Sequence, residues 1–170
     1  MSRRSKLPLF KSLEPDAYLV DTSSWLNIDE RRDREEVWRL VVNLIEKGRL
    51  FTCAQVLDEL RDNPIYLIRL KRHERALLAG DRRTNDVEYL QHVGKVTYEH
   101  PAMSRATGRK TPADPFLVAL AELEGYVIVA DETRRKRPNR KIPGVCQARG
   151  VRCITLSEFV AAAKKDASFK

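Results

Sequence analysis

Four short segments carry the carboxylates whose positions point to chemistry: Tyr18-Leu-Val-Asp-Thr-Ser-Ser24, Val56-Leu-Asp-Glu-Leu60, Ala113-Asp-Pro-Phe-Leu-Val-Ala119 and Val127-Ile-Val-Ala-Asp-Glu132. Each acid stands at the end of a strand-like run or in a helix-like one. In an α/β fold such segments can converge, because the carboxyl ends of parallel strands share one edge of the sheet. Carboxylates gathered there repel one another unless a divalent cation lies between them. In a chain that is otherwise basic, the combination points to metal-assisted cutting of a polyanion.

Asp21 follows the apolar Tyr-Leu-Val and precedes Thr22, Ser23 and Ser24, hydroxyls able to orient a carboxylate or a bound water. A turn or helix N-cap aspartate is the competing role. Glu59 lies beside the apolar face set by Val56, Leu57 and Leu60, whereas Asp58, offset by about 100°, faces solvent. Asp114-Pro115 reads as an aspartate N-cap with proline at the first helical position. Capping and metal binding are compatible there, since a helix N-terminus lowers the cost of a negative charge. Asp131 and Glu132 both end the strand Val-Ile-Val-Ala, and only one of them should point toward the other acids. Asp131 has the shorter reach, Glu132 one methylene more.

Other reactive types lack partners. His73, His92 and His100 sit in helical or loop contexts without a ligand spacing. Cys53, Cys146 and Cys153 form no Cys-x-x-Cys pair, and Cys53 and Cys153 read as small buried hydrophobes in strands. Unpaired cysteines and the lack of an apolar secretion signal behind the N-terminal charges imply a reducing, cytoplasmic setting.

The elements that must position these acids alternate. Strands are expected at 17–20, 50–53, 126–130 and 151–154. Helices are expected at 35–47, 54–61, 65–78, 85–92, 114–124, 143–149 and 157–164, with a polar turn through Asn27 and Asp29 and a mobile loop over 100–113. The helix over 35–47 is the clearest, with Val37, Leu40, Val41, Leu44 and Ile45 on one stripe and Gly48 to end it. Strands separated by helices predict an α/β fold, a mainly parallel sheet covered on both faces. The length of 170 residues suits a single domain, 17–170, behind a basic flexible tail, 1–16.

Apolar residues make up 42% and charged residues 33%, a balance that excludes a disordered chain, and the longest apolar runs are too short to span a bilayer. Lysine and arginine number 32 against 24 acids, a net charge of +8. The excess concentrates at 134–141, where Arg134, Arg135, Lys136 and Arg137 begin a run of six positive side chains. Arg69, Lys71, Arg72 and Arg75, with Arg105, Arg109 and Lys110, add further patches. Phosphates neutralised by such groups reward binding through counterion release, and contacts of that kind read backbone rather than base.

The chain order of strand-Asp-Thr-Ser, helix-Glu, Ala-Asp-Pro-Phe helix and strand-Asp-Glu resembles the PIN-domain family, which includes the VapC-like toxins of toxin–antitoxin pairs. The resemblance runs from about Tyr18 to Ala163. Ile142-Pro-Gly-Val-Cys146, followed by Val151-Arg-Cys-Ile154, places it nearest the stand-alone PIN-like bacterial proteins. The resemblance implies a three-layer α/β/α sandwich and Mg²⁺- or Mn²⁺-dependent endoribonuclease activity. It implies an acid set of Asp21, Glu59, Asp114 and Asp131 or Glu132, with Ser23 and Thr22 beside the first. Arginines near 134–137 would position the substrate. The partners implied are RNA, a cognate antitoxin and a second copy of the chain, without a membrane. At the fourth position the chain departs from the family's threonine-x-aspartate, with Ala130 in place of threonine.

Two other readings compete. One is a nuclease-like domain without activity that binds RNA or a partner protein. The other is a phosphate-transferring enzyme of the receiver or haloacid dehalogenase type, weakened because Asp21-Thr-Ser stands where the latter needs Asp-x-Asp.

Overall fold

β1, Tyr18–Val20, is buried at every residue and lies inside a four-stranded sheet. β2 (Leu50–Phe51) pairs on one side of it and β3 (Val127–Val129) on the other, and β4 (Cys153–Ile154) completes the order β2-β1-β3-β4. Every pairing is parallel, with Tyr18 opposite both Leu50 and Val127, and Ile128 opposite Cys153. The structure is a computed structural model that describes residues 16–82, 86–104, 111–131 and 142–168. Continuous burial of β1 and β3, rather than alternation, is what a parallel sheet covered on both faces demands.

The covering helices are α1 (Thr22–Glu30), α2 (Arg34–Glu46), α3 (Ala54–Leu60), α4 (Glu74–Leu77), α5 (Val87–Glu99), α6 (Asp114–Glu124), α7 (Ile142–Arg149) and α8 (Leu156–Ser168). α1, α2 and α8 pack in one group and α5, α6 and α7 in another, giving the expected three-layer α/β/α sandwich. Amphipathic spacing drives the packing: α2 buries Val37, Trp38, Val41, Leu44 and Ile45. α6 buries Leu117 through Ala121, including both faces of its middle turn, because it lies between the sheet and α5.

Several boundaries differ from the expectation. The turn expected through Asn27 and Asp29 is helical: Asp21 caps it, accepting the Ser24 N–H at 2.7 Å, and Trp25 and Ile28 are buried inside. The span 65–78 is not one α-helix. A π-helical turn, Tyr66–Leu70, passes into a 3₁₀ turn, Lys71–His73, before α4 begins. α5 runs seven residues beyond His92 to Glu99, held inward by Tyr89, Val93 and Val96. Within the loop expected over 100–113, Pro101–Ser104 forms a 3₁₀ turn that buries Met103. Asp114 is the first residue of α6 and Ala113 flanks it, so the aspartate itself is not the cap.

Cys53 is buried as expected, but Cys153 is half-buried and it is Cys146 that is enclosed. No helix among the described residues is long and apolar enough to cross a membrane. The tail expected at 1–16 lies, apart from Asp16, outside the described residues.

Candidate functional site

The strand order reverses direction between β1 and β3: β2 is added on one side of β1 and β3 on the other. In open parallel sheets the crevice beyond the carboxyl ends at such a switch point is where ligands bind. Asp21 continues β1 into this crevice, its own N–H bonded to Val129 O of β3 at 3.1 Å. Ser24 and Thr52 tie the same edge together: Ser24 Oγ donates to Val129 O at 3.1 Å and Thr52 Oγ1 to Val20 O at 2.9 Å.

Asp21 is only 3% exposed. Burial of a carboxylate is tolerated when donors replace water. Its Oδ1 takes the Ser24 N–H at the start of α1, and its Oδ2 takes Ser23 Oγ at 2.6 Å. The hydroxyls that follow Asp21 therefore do different work. Ser23 holds Asp21, whereas Thr22 Oγ1 donates across the crevice to Glu59 Oε2.

Glu59 joins three segments. Its other oxygen, Oε1, accepts the Ala113 N–H at 3.0 Å, one residue before Asp114. So the second acid bonds to the neighbour of the first and to the neighbour of the third. Asp58, as its offset on α3 predicts, faces outward and pairs with Arg61 at 2.8 Å. Asp114 is half-buried at the start of α6, close enough for its charge to reach the Cys146 thiol on α7.

Asp131 is exposed just past β3, and Asn27 Nδ2 of α1 donates to its Oδ2 at 3.0 Å. Arg31, the extended residue just past α1, is held mainly by Asp33 but also feels Asp131, and both raise its guanidinium pKa. Asn27 and Arg31 were missed in the sequence because that stretch reads as a turn. The spacing Trp25, Ile28 is the signal that places Asn27 on a helix, with Arg31 just past its end. Glu132 and the basic residues Arg134, Arg135, Lys136 and Arg137 lie outside the described residues.

Neither enclosed thiol is a nucleophile in waiting. Burial pushes the Cys53 thiol well up, and contact with the Cys153 thiol, then burial, does the same for Cys146. His73 is pushed down, chiefly by burial, and then by Arg72.

Among the described residues no three His, Cys, Asp or Glu side chains stand close enough together to hold a metal ion. The donor set is nevertheless all oxygen, which suits a hard dication such as Mg²⁺ or Mn²⁺. A carboxylate oxygen offers two acceptor positions, so hydrogen bonds from Ser23, Ser24, Thr22 and Ala113 orient Asp21 and Glu59 without exhausting them.

A family described as "Domain of unknown function (DUF4411)" matches residues 18–167. No curated protein matches the chain. The match covers the whole sheet and all of the crevice, and the chain belongs to the DUF4411 family.

Proposed function

We propose that this DUF4411 protein is a PIN-like, Mg²⁺- or Mn²⁺-dependent endoribonuclease, the toxin of a toxin–antitoxin pair. The observation that carries the reading is the pair of hydrogen bonds that Glu59 accepts, by which its carboxylate links the Asp21 segment through Thr22 and the Asp114 segment through Ala113. Glu59 is thereby tied to the segment that carries Asp21 and to the backbone beside Asp114, segments far apart in sequence.

In this reading Asp21 and Asp114 ligate the cation, and Glu59, with Asp131 or Glu132, orients the attacking water and takes its proton. When bound, the cation activates water and offsets the charge that builds on the scissile phosphate. Ser23 and Thr22 keep the two inner carboxylates in fixed orientation, and the basic run at 134–137 holds the flanking phosphates.

A second reading, a PIN-like domain that binds RNA or a partner without cutting, is favoured by two observations. No three-acid group closes among the described residues, and both oxygens of Asp21 already accept internal donors.

Purified protein incubated with single-stranded RNA and Mg²⁺ separates the two. Asp21→Asn and Asp114→Asn are expected to slow cleavage by more than about 100-fold, beyond the loss of a supporting contact, with the fold retained. Saturating Mn²⁺ is expected to raise the melting temperature by roughly 5–10 °C. Wild-type cleavage rates in either variant sink the nuclease assignment. Absence of both cleavage and a metal-induced shift in the wild type selects the binding domain.

A further inference from the structure

Two of the three cysteines meet. Cys146, enclosed on α7, is hydrogen-bonded thiol to thiol with Cys153, half-buried on the edge strand β4. The contact follows from how α7 ends. Gly150 takes a left-handed φ of 69°, and the Val151 N–H returns to Cys146 O at 2.9 Å. That closure turns the chain back across the helical turn that holds Cys146. Cys153 follows two residues beyond Val151, the spacing that returns an extended chain to the same face. Both elements are held in place. Arg149 pairs with Glu122 of α6 at 2.8 Å and fixes the end of α7. The N–H groups of Ile128 and Ala130 bond Arg152 O at 2.9 Å and Ile154 O at 3.0 Å, on either side of Cys153. Any small apolar side chain would meet a packing role at these positions, whereas two thiols in contact at a sheet edge add chemistry.

We propose that Cys146 and Cys153 form a reversible dithiol–disulfide site that reacts with a hydroperoxide. Cys153 attacks first, because it is the sulfur that solvent reaches and an accessible thiolate is the reacting form. Its thiol gives up a proton as the sulfur attacks one oxygen of hydrogen peroxide. The S–O bond forms, the O–O bond breaks, and the departing hydroxide takes that proton and leaves as water. Cys153 is then a sulfenic acid. Cys146, enclosed and bonded to Cys153, follows. Its sulfur attacks the oxidised one, the S–S bond forms as the S–O bond breaks, and hydroxide leaves with the Cys146 proton as a second water. In sum the thiols give two electrons and two protons to one peroxide. Glutathione reverses the change by exchange: two of its thiols become glutathione disulfide as both cysteines are restored.

The pair stands close to the crevice. α7 packs on α6, and the charge of Asp114, at the start of α6, reaches the Cys146 thiol. Where thiols are kept reduced such a bond is transient, the mark of a redox-sensing pair rather than of a structural staple. Cys53 is the internal comparison. It is enclosed at the start of α3, and burial favours its neutral thiol.

Peptide mapping of the full chain tests this. The reduced protein, freed of reductant, is treated with excess hydrogen peroxide, quenched, unfolded, alkylated, digested without reductant and mapped by mass spectrometry. The expected product is an intramolecular Cys146–Cys153 disulfide, with Cys53 still alkylated, and glutathione should restore both thiols. Cys146→Ser keeps the attacking sulfur and removes its partner, so Cys153 should accumulate as a sulfenic acid trapped by dimedone. Cys153→Ser removes the attacking sulfur, and oxidation of Cys146 should slow by about tenfold or more. Circular dichroism before oxidation checks the fold of each variant, and the wild-type map decides the question without either. A wild type in which all three cysteines stay thiols overturns the assignment, as does one in which Cys153 passes to sulfinic acid without bonding Cys146, or in which Cys53 supplies a sulfur to the bond. A folded Cys153→Ser whose Cys146 oxidises as fast as in the wild type overturns it too. The readout is the covalent state of sulfur alone, so its outcome is independent of whether the chain cleaves RNA.

Discussion

Asp81 shows how one carboxylate outside the crevice supports an element that enters it. Its Oδ2 accepts the Ala54 N–H at 2.9 Å, where α3 begins, and α3 carries Glu59. Its Oδ1 is buried with no hydrogen-bond partner. Burial raises its pKa above the ordinary aspartate value, and bonds from the Ala54 and Arg82 backbone only partly offset this. The folded state therefore holds the Asp81 proton more tightly than the unfolded chain does. Its contribution to stability is fully present below the unfolded value and is lost as pH rises through the folded one. Asp81→Asn keeps an acceptor for Ala54 and removes the titration. Urea denaturation at several pH values from mildly acid to neutral should show the variant gaining on the wild type as pH rises. A difference that is flat with pH would mean that Asp81 titrates as it does in the unfolded chain. Residues of this kind are hard to find in a sequence, where Gly80-Asp81 looks like turn punctuation. Glu59 was legible for the opposite reason: its offset from Asp58 on a short amphipathic helix assigns it to the inner side before any contact is known.

At the scale of elements, helix ends decide where the acids stand. α6 begins with Asp114-Pro115 and ends at Gly125, whose φ of 75° is left-handed and whose N–H returns to Ala121 O at 2.9 Å. A Cβ at Gly125 would touch nothing within 4 Å, so replacing it raises only the backbone cost of the left-handed conformation. Gly125→Ala should therefore cost about 1 kcal/mol in chemical denaturation, with little change elsewhere. A neutral result would show that the chain can leave α6 by another path. The ends of α2 and α6 were readable because Gly48 and Gly125 follow clear apolar stripes. The start of α1 was not, because the serines and Asn27 look like loop composition. Only the tertiary burial of Trp25 and Ile28, with Asp21 as cap, turns that stretch into helix. The π-helical turn at Tyr66–Leu70 was equally hidden, since its apolar and basic residues fit ordinary helical spacing. The parallel order was legible as a class from the alternation of strands and helices. Which strand lies beside which depends on contacts between residues more than 30 apart, such as Tyr18 with Leu50 and Val127.

At the scale of the whole molecule, the charge excess and the crevice belong to one argument. Not every cation of the chain is available to a polyanion. Arg69 stacks over Trp38 at 5.5 Å and pairs with Glu35, and Arg149 is clamped between Glu99 and Glu122, so both serve the fold. Lys71, Arg72 and Arg75 stay exposed on the segment leading through α4. If surface cations and the run at 134–141 carry RNA, affinity must fall with salt in proportion to the phosphates neutralised, with a slope of roughly −0.7 per phosphate for single strands. Three such contacts predict a loss of roughly twentyfold between about 50 and about 200 mM monovalent salt. Asp21→Asn, expected not to cut, is the form in which to measure it, by fluorescence anisotropy on a labelled single strand of RNA. Replacing Arg134, Arg135, Lys136 and Arg137 by alanine should flatten the slope and lower affinity alike for unrelated sequences, because phosphate contacts do not discriminate bases. Affinity that is independent of salt, or a slope unchanged by the four substitutions, would detach RNA binding from the basic run.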